Sequence, residues 1–583
     1  MVEQEERRSS MHTIKVGIFL GILGGGFFSL YPFGQKAFLG VKSPAQNGVL
    51  RYRAQQVAEN DADNICNIFF TIEYSHSFRN RDMTKTLFGT ELMTFSGSFI
   101  PDRNETDLLA DTFGLPFDFL SNLLVDPHVT SVLCDISWFQ LFSCFDYRAY
   151  FWINVPFVHT NWDVHAIEAT LKPGTQPFVA GYMGSTNIAR SSMPANALDA
   201  LSMPFTFGDR ITPLTYGKLE NNNHTNRLAE VSVELGGIFY ETEACDLGVY
   251  ARLSIPAGVV PNGRYLFQPI NNNRHHWTFV GGLYCLGDVW CAESTCARLQ
   301  GRLDVSVGHL FTNTQTRVYD FTNNGNGSRY ILTEEILAPS QTLFFDTDQP
   351  APAQYVGRLL PAIELTALKS KINIPVQGNI LAALSYQYKG CCFDIGYELF
   401  AQSKEKLASR ANMQSGRFAL KGDAQIYGFT ADNQPVALSV TQHDATIQAG
   451  QGTGNINVTN QSLNLFFQNS NADNPTFAYD SDGNALNQLT LSDAEVLNIP
   501  LRIVNTSVPP ILLSNSNINN SSGLLPRLLM NSFFITGNYK HQLEGTMLCY
   551  GGAGGCVDVS STYKGVIAAP SQWRLWLEVG IAF

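Results

Sequence analysis

The chain ends on "WRLWLEVGIAF", residues Trp573 to Phe583, and this segment alternates without a break. Trp573, Leu575, Leu577, Val579, Ile581 and Phe583 are all large and apolar. Arg574, Trp576, Glu578, Gly580 and Ala582 are charged, small or mixed. A two-residue period belongs to a β-strand, whose successive side chains leave opposite faces of the sheet. A helix would scatter the apolar set around its circumference. Such a strand either closes a soluble sandwich, with one face in a core, or crosses a membrane, with one face to lipid. Membrane strands run about 9–11 residues, and their aromatic ends sit at the two interfaces. The length and ends of this segment match the second case.

The pattern recurs. In "VSVELGGIF", Val231, Val233, Leu235 and Phe239 oppose Ser232 and Glu234; in "DLGVYARLSI", Leu247, Val249, Ala251, Leu253 and Ile255 oppose Asp246, Arg252 and Ser254. Together they read as a hairpin. A second hairpin turns at Lys389-Gly390, with Ala382, Leu384, Tyr386 and Tyr388 before it and Phe393, Ile395, Tyr397 and Leu399 after it. "YRAYFWINVPF" and "RLDVSVGHLF" alternate likewise, whereas "FALKGDAQIYGF" and "SFFITGNYKH" do so less cleanly. A pass along the chain gives roughly 14–18 candidate strands. No fixed repeat marks a solenoid. The fold class expected is all-β: a transmembrane antiparallel up-and-down β-barrel with short turns at one end and long insertions at the other.

The terminal segment resembles the closing strand of Gram-negative outer-membrane β-barrels, with its final Phe583 and apolar residues at every second position upstream. The resemblance covers these eleven residues closely and the rest of the chain as a pattern only. It implies that Trp573, Leu575, Leu577, Val579, Ile581 and Phe583 form a signal read by the outer-membrane assembly machinery. It also implies outer-membrane lipid as surroundings and the bacterial outer membrane as location. The porin class further implies a homo-oligomer.

Composition agrees with this reading. The 583 residues are 12% aromatic and only 15% charged, with 48 glycines. A net charge of -12 argues against a binder that tracks nucleic-acid phosphates. Met11 to Phe33 carries Lys15, then the apolar stretch Val16 to Tyr31, ended by Pro32. That is the build of a secretory signal peptide; Met11 is an alternative start and Ser43-Pro44-Ala45 the best small-residue cleavage site. Residues 1–45 are therefore assigned to a signal peptide and its flank, and 46–583 to the barrel. Beyond the leader no apolar run reaches the ~18–20 residues of a membrane helix.

Eleven cysteines in an exported chain leave at least one unpaired, and Cys291 with Cys296 and Cys549 with Cys556 are candidate disulfides, each bracketing a short loop. No CxxC pair and no histidine at ligand spacing occur, so neither a metal nor another cofactor is expected. GxSxG and HExxH are absent, and no enzyme activity is expected. The pair His275-His276 reads as a loop residue pair at the start of a strand.

Three segments break the strand rhythm: residues ~100–128, where "NETDLLADTFGL" offers a short helix, ~168–226, and the Asn/Gln-rich ~430–528. Parity sorts the charges. Arg148, Arg252, Arg302, Arg417 and Arg574, with Glu230, Glu234, Asp304, Asp394, Glu398 and Glu578, fall on the polar faces of their strands. A charge on lipid at mid-depth costs ~2–4 kcal/mol, so a barrel must turn these inward. Lining a wet lumen they would filter solutes, with net acidity hinting at cations. The expected function is porin-like passive diffusion of small polar solutes. The rivals are a barrel acting as an adhesin or structural envelope protein through its loops, and a soluble secreted all-β binding protein. A plugged, energy-coupled transporter fits less well, because no separate N-terminal plug domain is visible and about 22 strands would be needed.

Overall fold

Alternation at residue level becomes a closed wall in the computed structural model. It describes residues 36–56, 64–337, 355–422 and 511–583, apart from gaps at 102, 105, 145–146, 243–244, 293–296, 544–546 and 564, together with parts of 424–448, 478–479 and 485–486. Among the described residues twelve long strands form the wall. They are β1 Ile65–Phe78, β2 Leu120–Cys144, β3 Tyr147–Lys172, β4 Glu230–Thr242, β5 Cys245–Pro256 and β6 Thr278–Ala292. Then follow β7 Ala297–Val318, β8 Ala367–Tyr388, β9 Cys391–Gln402, β10 Leu528–Gln542, β11 Leu548–Ser560 and β12 Ser571–Ala582. Each pairs antiparallel with its sequence neighbour, and β12 returns to β1 with Leu577 opposite Ile72. A meander closed this way leaves the wall no unpaired edge, which a membrane interior requires.

The wall has fewer strands than the roughly 14–18 expected, because short extended stretches also lie off it. Leu332–Ile336, Tyr355–Pro361 and Phe418–Leu420 are too short to cross a bilayer and form a small separate sheet. The hairpin partners read from sequence do meet: Val231 faces Ile255, Val233 faces Leu253 and Leu235 faces Ala251. Lys389 and Gly390, with φ of 46° and 84°, make the two-residue turn in which both central residues have positive φ.

The outward set is exposed along every strand: Ile68, Phe70 and Ile72 on β1, Leu283 on β6, and Leu575, Leu577 and Val579 on β12. Tyr240, Trp290, Tyr386 and Tyr539 mark the end with short turns, and Tyr74, Trp277, Phe279 and Phe311 the other. These are the two interfacial girdles of a membrane barrel. Inward, six rings each lie over a glycine directly opposite on the adjacent strand: Tyr150 on Gly236, Tyr250 on Gly282, Tyr284 on Gly248, Phe534 on Gly396, Tyr550 on Gly580 and Trp576 on Gly554. A Cβ at any of the six glycines would lie 2.2–2.5 Å from the ring. This pairing explains part of the high glycine content: it lets large aromatics fold flat against a narrow lumen.

At one end the strands join through a few residues, and both ends of the wall, Ile65 and Ala582, lie there. At the other end lie the described parts of 79–119, 173–229, 257–277, 319–366, 403–527 and 561–570. Each of these six connections sends side chains into one apolar core, through Leu87, Leu201, Phe267, Tyr330, Leu513 and Ile567. Strands β2 and β3, of 25 and 26 residues, project into this dome. At ~3.3 Å per residue they extend about 80 Å, far beyond a ~30 Å hydrocarbon layer.

The insertion boundaries shift accordingly. Residues 120–128 belong to β2 and 168–172 to β3, while Asn222–Leu228 pairs with the outer part of β3. The expected helix in "NETDLLADTFGL" is reduced to a 3-10 turn, Ala110–Phe113. Most of 430–510 and all of 1–35 lie outside the described residues.

Candidate functional site

The lumen is filled by the chain's own N-terminal segment. Lys36, Ala37 and Gly40 donate backbone bonds to Thr86, Ser522 and Ala568 in the dome, at 2.7, 3.0 and 3.1 Å. Residues 41–47 then descend, with Ser43 starting a 3-10 turn at Pro44–Gln46. Helix α1, Gly48–Gln56, lies inside the barrel. Its "GVLRYRAQQ" is built mainly from good helix formers, but nine residues are too few for a stable helix in water. The wall supplies the missing stability: Val49 and Tyr52 pack with Leu381, Phe534 and Trp576. Residues 36–44 pack with the rest of the chain, and Ser43 is buried.

Ion pairs hold the segment in place. The Arg51 guanidinium donates through Nε to Glu234 at 2.8 Å, pairs with Asp304, reaches the Tyr150 hydroxyl at 3.1 Å, and lies 3.4 Å from the centre of the Tyr250 ring. Arg53 donates to Glu578 at 2.7 Å and to Thr71 at 3.1 Å. Lys42 meets Glu398 at 3.0 Å, and the same carboxylate accepts the Gly48 amide at 2.9 Å. The Tyr52 hydroxyl donates to Asp394 at 3.0 Å, and Gln55 pairs with Arg302. The inward wall carries more carboxylates than cations, and the N-terminal segment brings Lys42, Arg51 and Arg53 to meet them. Buried charges are tolerated when paired and hydrogen-bonded in this way.

Most of the charges singled out by parity stand on the inner face. Glu230, Glu234, Arg252, Arg302, Asp304, Asp394, Glu398, Arg574 and Glu578 are all buried there. Arg252 stands opposite Glu234 in register. Arg574 donates to Asp558 at 2.8 Å and lies 3.4 Å from Glu73. Arg148 sits at the short-turn rim with Glu241 at 2.7 Å and Asp246 at 3.5 Å. Arg417 is a correction: it lies off the wall, before the short dome strand at 418–420, and pairs with Glu335. The cysteine candidates change as well. Cys549 and Cys556 are free thiols on one strand, seven residues and therefore about 23 Å apart. Cys291 is a free thiol, and Cys296 lies outside the described residues.

Below the helix a vestibule of about 430 Å³ opens at the short-turn end, lined by Gln55, Arg148, Glu241, Asp246, Asp288, Arg298 and Arg302 among others. Side chains of both charge signs face it. Sequence reasoning missed the segment that fills the lumen above it. Its signal was the pair Arg51 and Arg53 in a short helix-forming stretch of a chain whose inward wall is acidic.

The dome holds charge of its own. Glu334 is fully buried beside Lys421, and burial pushes its carboxyl well above the usual range. Burial likewise raises Asp209, against the opposing pull of hydrogen bonds from Tyr355 and Tyr427. Arg210 is lowered to about 10 by burial. His275 and His276 lie just before β6, the latter buried with Nδ1 2.7 Å from the Phe311 carbonyl oxygen.

A closed antiparallel wall with a lipid-type outer face, two aromatic girdles and a polar interior defines a transmembrane β-barrel fold. No family model matches the chain, and no curated protein matches it. Among solved structures, an outer membrane channel from Pseudomonas putida F1 is 8% identical, aligned over 89% of this chain and 95% of its own, with a TM-score of 0.31. The transport unit of the autotransporter AIDA-I from Escherichia coli is 6% identical over 92% and 97%, with a TM-score of 0.27. The toluene transporter TodX from Pseudomonas putida is 7% identical over 94% and 95%, with a TM-score of 0.22. The assignment to the class rests on the wall itself.

Proposed function

We propose that the protein is a gated channel of the bacterial outer membrane for small polar solutes, closed in the present state by residues 36–56. The observation that carries this reading is the charge match inside the lumen. Acidic wall positions are neutralised by Lys42, Arg51 and Arg53 on a segment held only by non-covalent bonds. Moving that segment aside would leave a passage lined by carboxylates, with a preference for cations. Transport by such a lumen needs no cofactor and no chemical turnover.

Planar-bilayer recording tests it. The full chain should be nearly silent, and the Arg51→Ala, Arg53→Ala double variant should give discrete, cation-selective steps. A double variant that remains heat-modifiable yet silent would remove the channel reading.

A second reading is favoured by one observation: all six long connections share one apolar core. That suits a rigid exposed platform, and the barrel would then act as a surface adhesin or structural envelope protein. A barrel that stays silent in every variant would leave this reading standing.

A further inference from the structure

The structure assigns Cys245 and Cys285 as a disulfide-forming pair that links neighbouring wall strands at the short-turn rim. Both are free thiols in this structure, and their Sγ atoms are 3.5 Å apart. Cys245 opens β5 and stands opposite Gly287 of β6, and Cys285 stands opposite Leu247. The two cysteines are therefore diagonal neighbours. Both fall on the outward parity of their strands, with Val249 and Leu283, so both side chains leave the same face. A disulfide has a sulfur–sulfur distance of about 2.05 Å, so about 1.5 Å of approach remains. Cys245 is the first residue of β5 and is only partly buried. Its hydrogen bonds to Thr242 also belong to the turn and not to the mid-wall ladder.

Among the described residues, three further cysteines are placed less well. Cys391 and Cys392 are adjacent in one strand and so leave opposite faces. Cys556 is buried inward against Arg574 and Asp558.

The oxidant is a protein or small-molecule disulfide. One cysteine thiolate attacks it, forming a mixed disulfide and releasing one donor sulfur as thiolate. The second cysteine thiolate then displaces the other donor sulfur, closing the Cys245–Cys285 bond. The donor gains two electrons and takes up the two protons that the cysteines lose. The bond would pin β5 to β6 at the vestibule, whose lining includes Cys245, Asp246 and Gly287. This inference is independent of what the channel conducts.

The test is thiol trapping of the full chain in native membranes with an alkylating reagent, followed by proteolysis and mass mapping without reductant. The expected result is a peptide joining Cys245 to Cys285, lost on reduction. In Cys245→Ser, Cys285 should become open to alkylation while the protein keeps its heat-modifiable band. Quantitative alkylation of both cysteines in the parent, before and after incubation with oxidised glutathione, would overturn the assignment. So would a bond from either one to a different cysteine.

Discussion

Replacing Arg51 with methionine keeps the apolar stem and removes the guanidinium. It leaves Glu234 and Asp304 in the lumen without their shared cation, and Glu234 has no solvent exposure at all. Arg302, 3.8 Å from Asp304, answers only part of that charge. Breaking a buried pair by deleting one partner costs about 3–5 kcal/mol, because the remaining charge stays desolvated. Loss of the contact to Tyr250 acts in the same direction. At 1.4 kcal/mol per tenfold, the docked segment should lose roughly two to three and a half orders of magnitude in its equilibrium with the displaced one. In single-channel recording this reads as open probability rising from near zero to a measurable level. The cause can be isolated. Adding Glu234→Gln and Asp304→Asn removes the orphaned charges, so the triple variant should close again. The reasoning fails if Arg51→Met stays silent while heat-modifiable, or if the triple variant is as open as the single one.

Glu334→Gln should raise the thermal stability of the dome at pH 8. The folded-state carboxyl is raised above its ordinary 4.5, so its stabilising contribution is present below that value and is lost as pH rises towards the folded one. Melting curves at pH 5 and pH 8 should therefore converge in the variant, and an unchanged pH slope would count against the burial argument. Leu577→Arg puts a charge on the lipid face and should cost ~2–4 kcal/mol, read as less heat-modifiable protein in the membrane fraction. Normal assembly of that variant would mean the stripe does not face lipid. Gly390→Val places a Cβ 2.6 Å from the Lys540 carbonyl oxygen at a φ of 84°, and at ~1–3 kcal/mol should lower the temperature at which the folded band is lost.

The wall was legible because its code is local. Each strand states its own parity, so hairpins such as Val231–Ile255 and the inward direction of Asp304 or Glu398 follow without knowledge of any partner. Strand number was less legible. Short extended pieces such as Phe418–Leu420 resemble strand segments locally, and only length and neighbours separate them from the wall. Arg417 was misplaced for that reason. The cysteine pairs failed differently: nearness in sequence stood in for nearness in space, and along an extended strand seven residues carry Cys549 far from Cys556.

What the sequence determined by itself is the two-faced strand, since side-chain parity is a property of consecutive residues. From it follow the barrel, the lipid stripe and the inward charges. What only the tertiary structure decided is what fills that barrel and what caps it. Lys42, Arg51 and Arg53 meet carboxylates 356, 183 and 525 positions away, Glu398, Glu234 and Glu578, and the six loops share one core at one end. Those contacts depend on closure of the whole wall, which brings into one lumen charges that no stretch of the chain holds side by side.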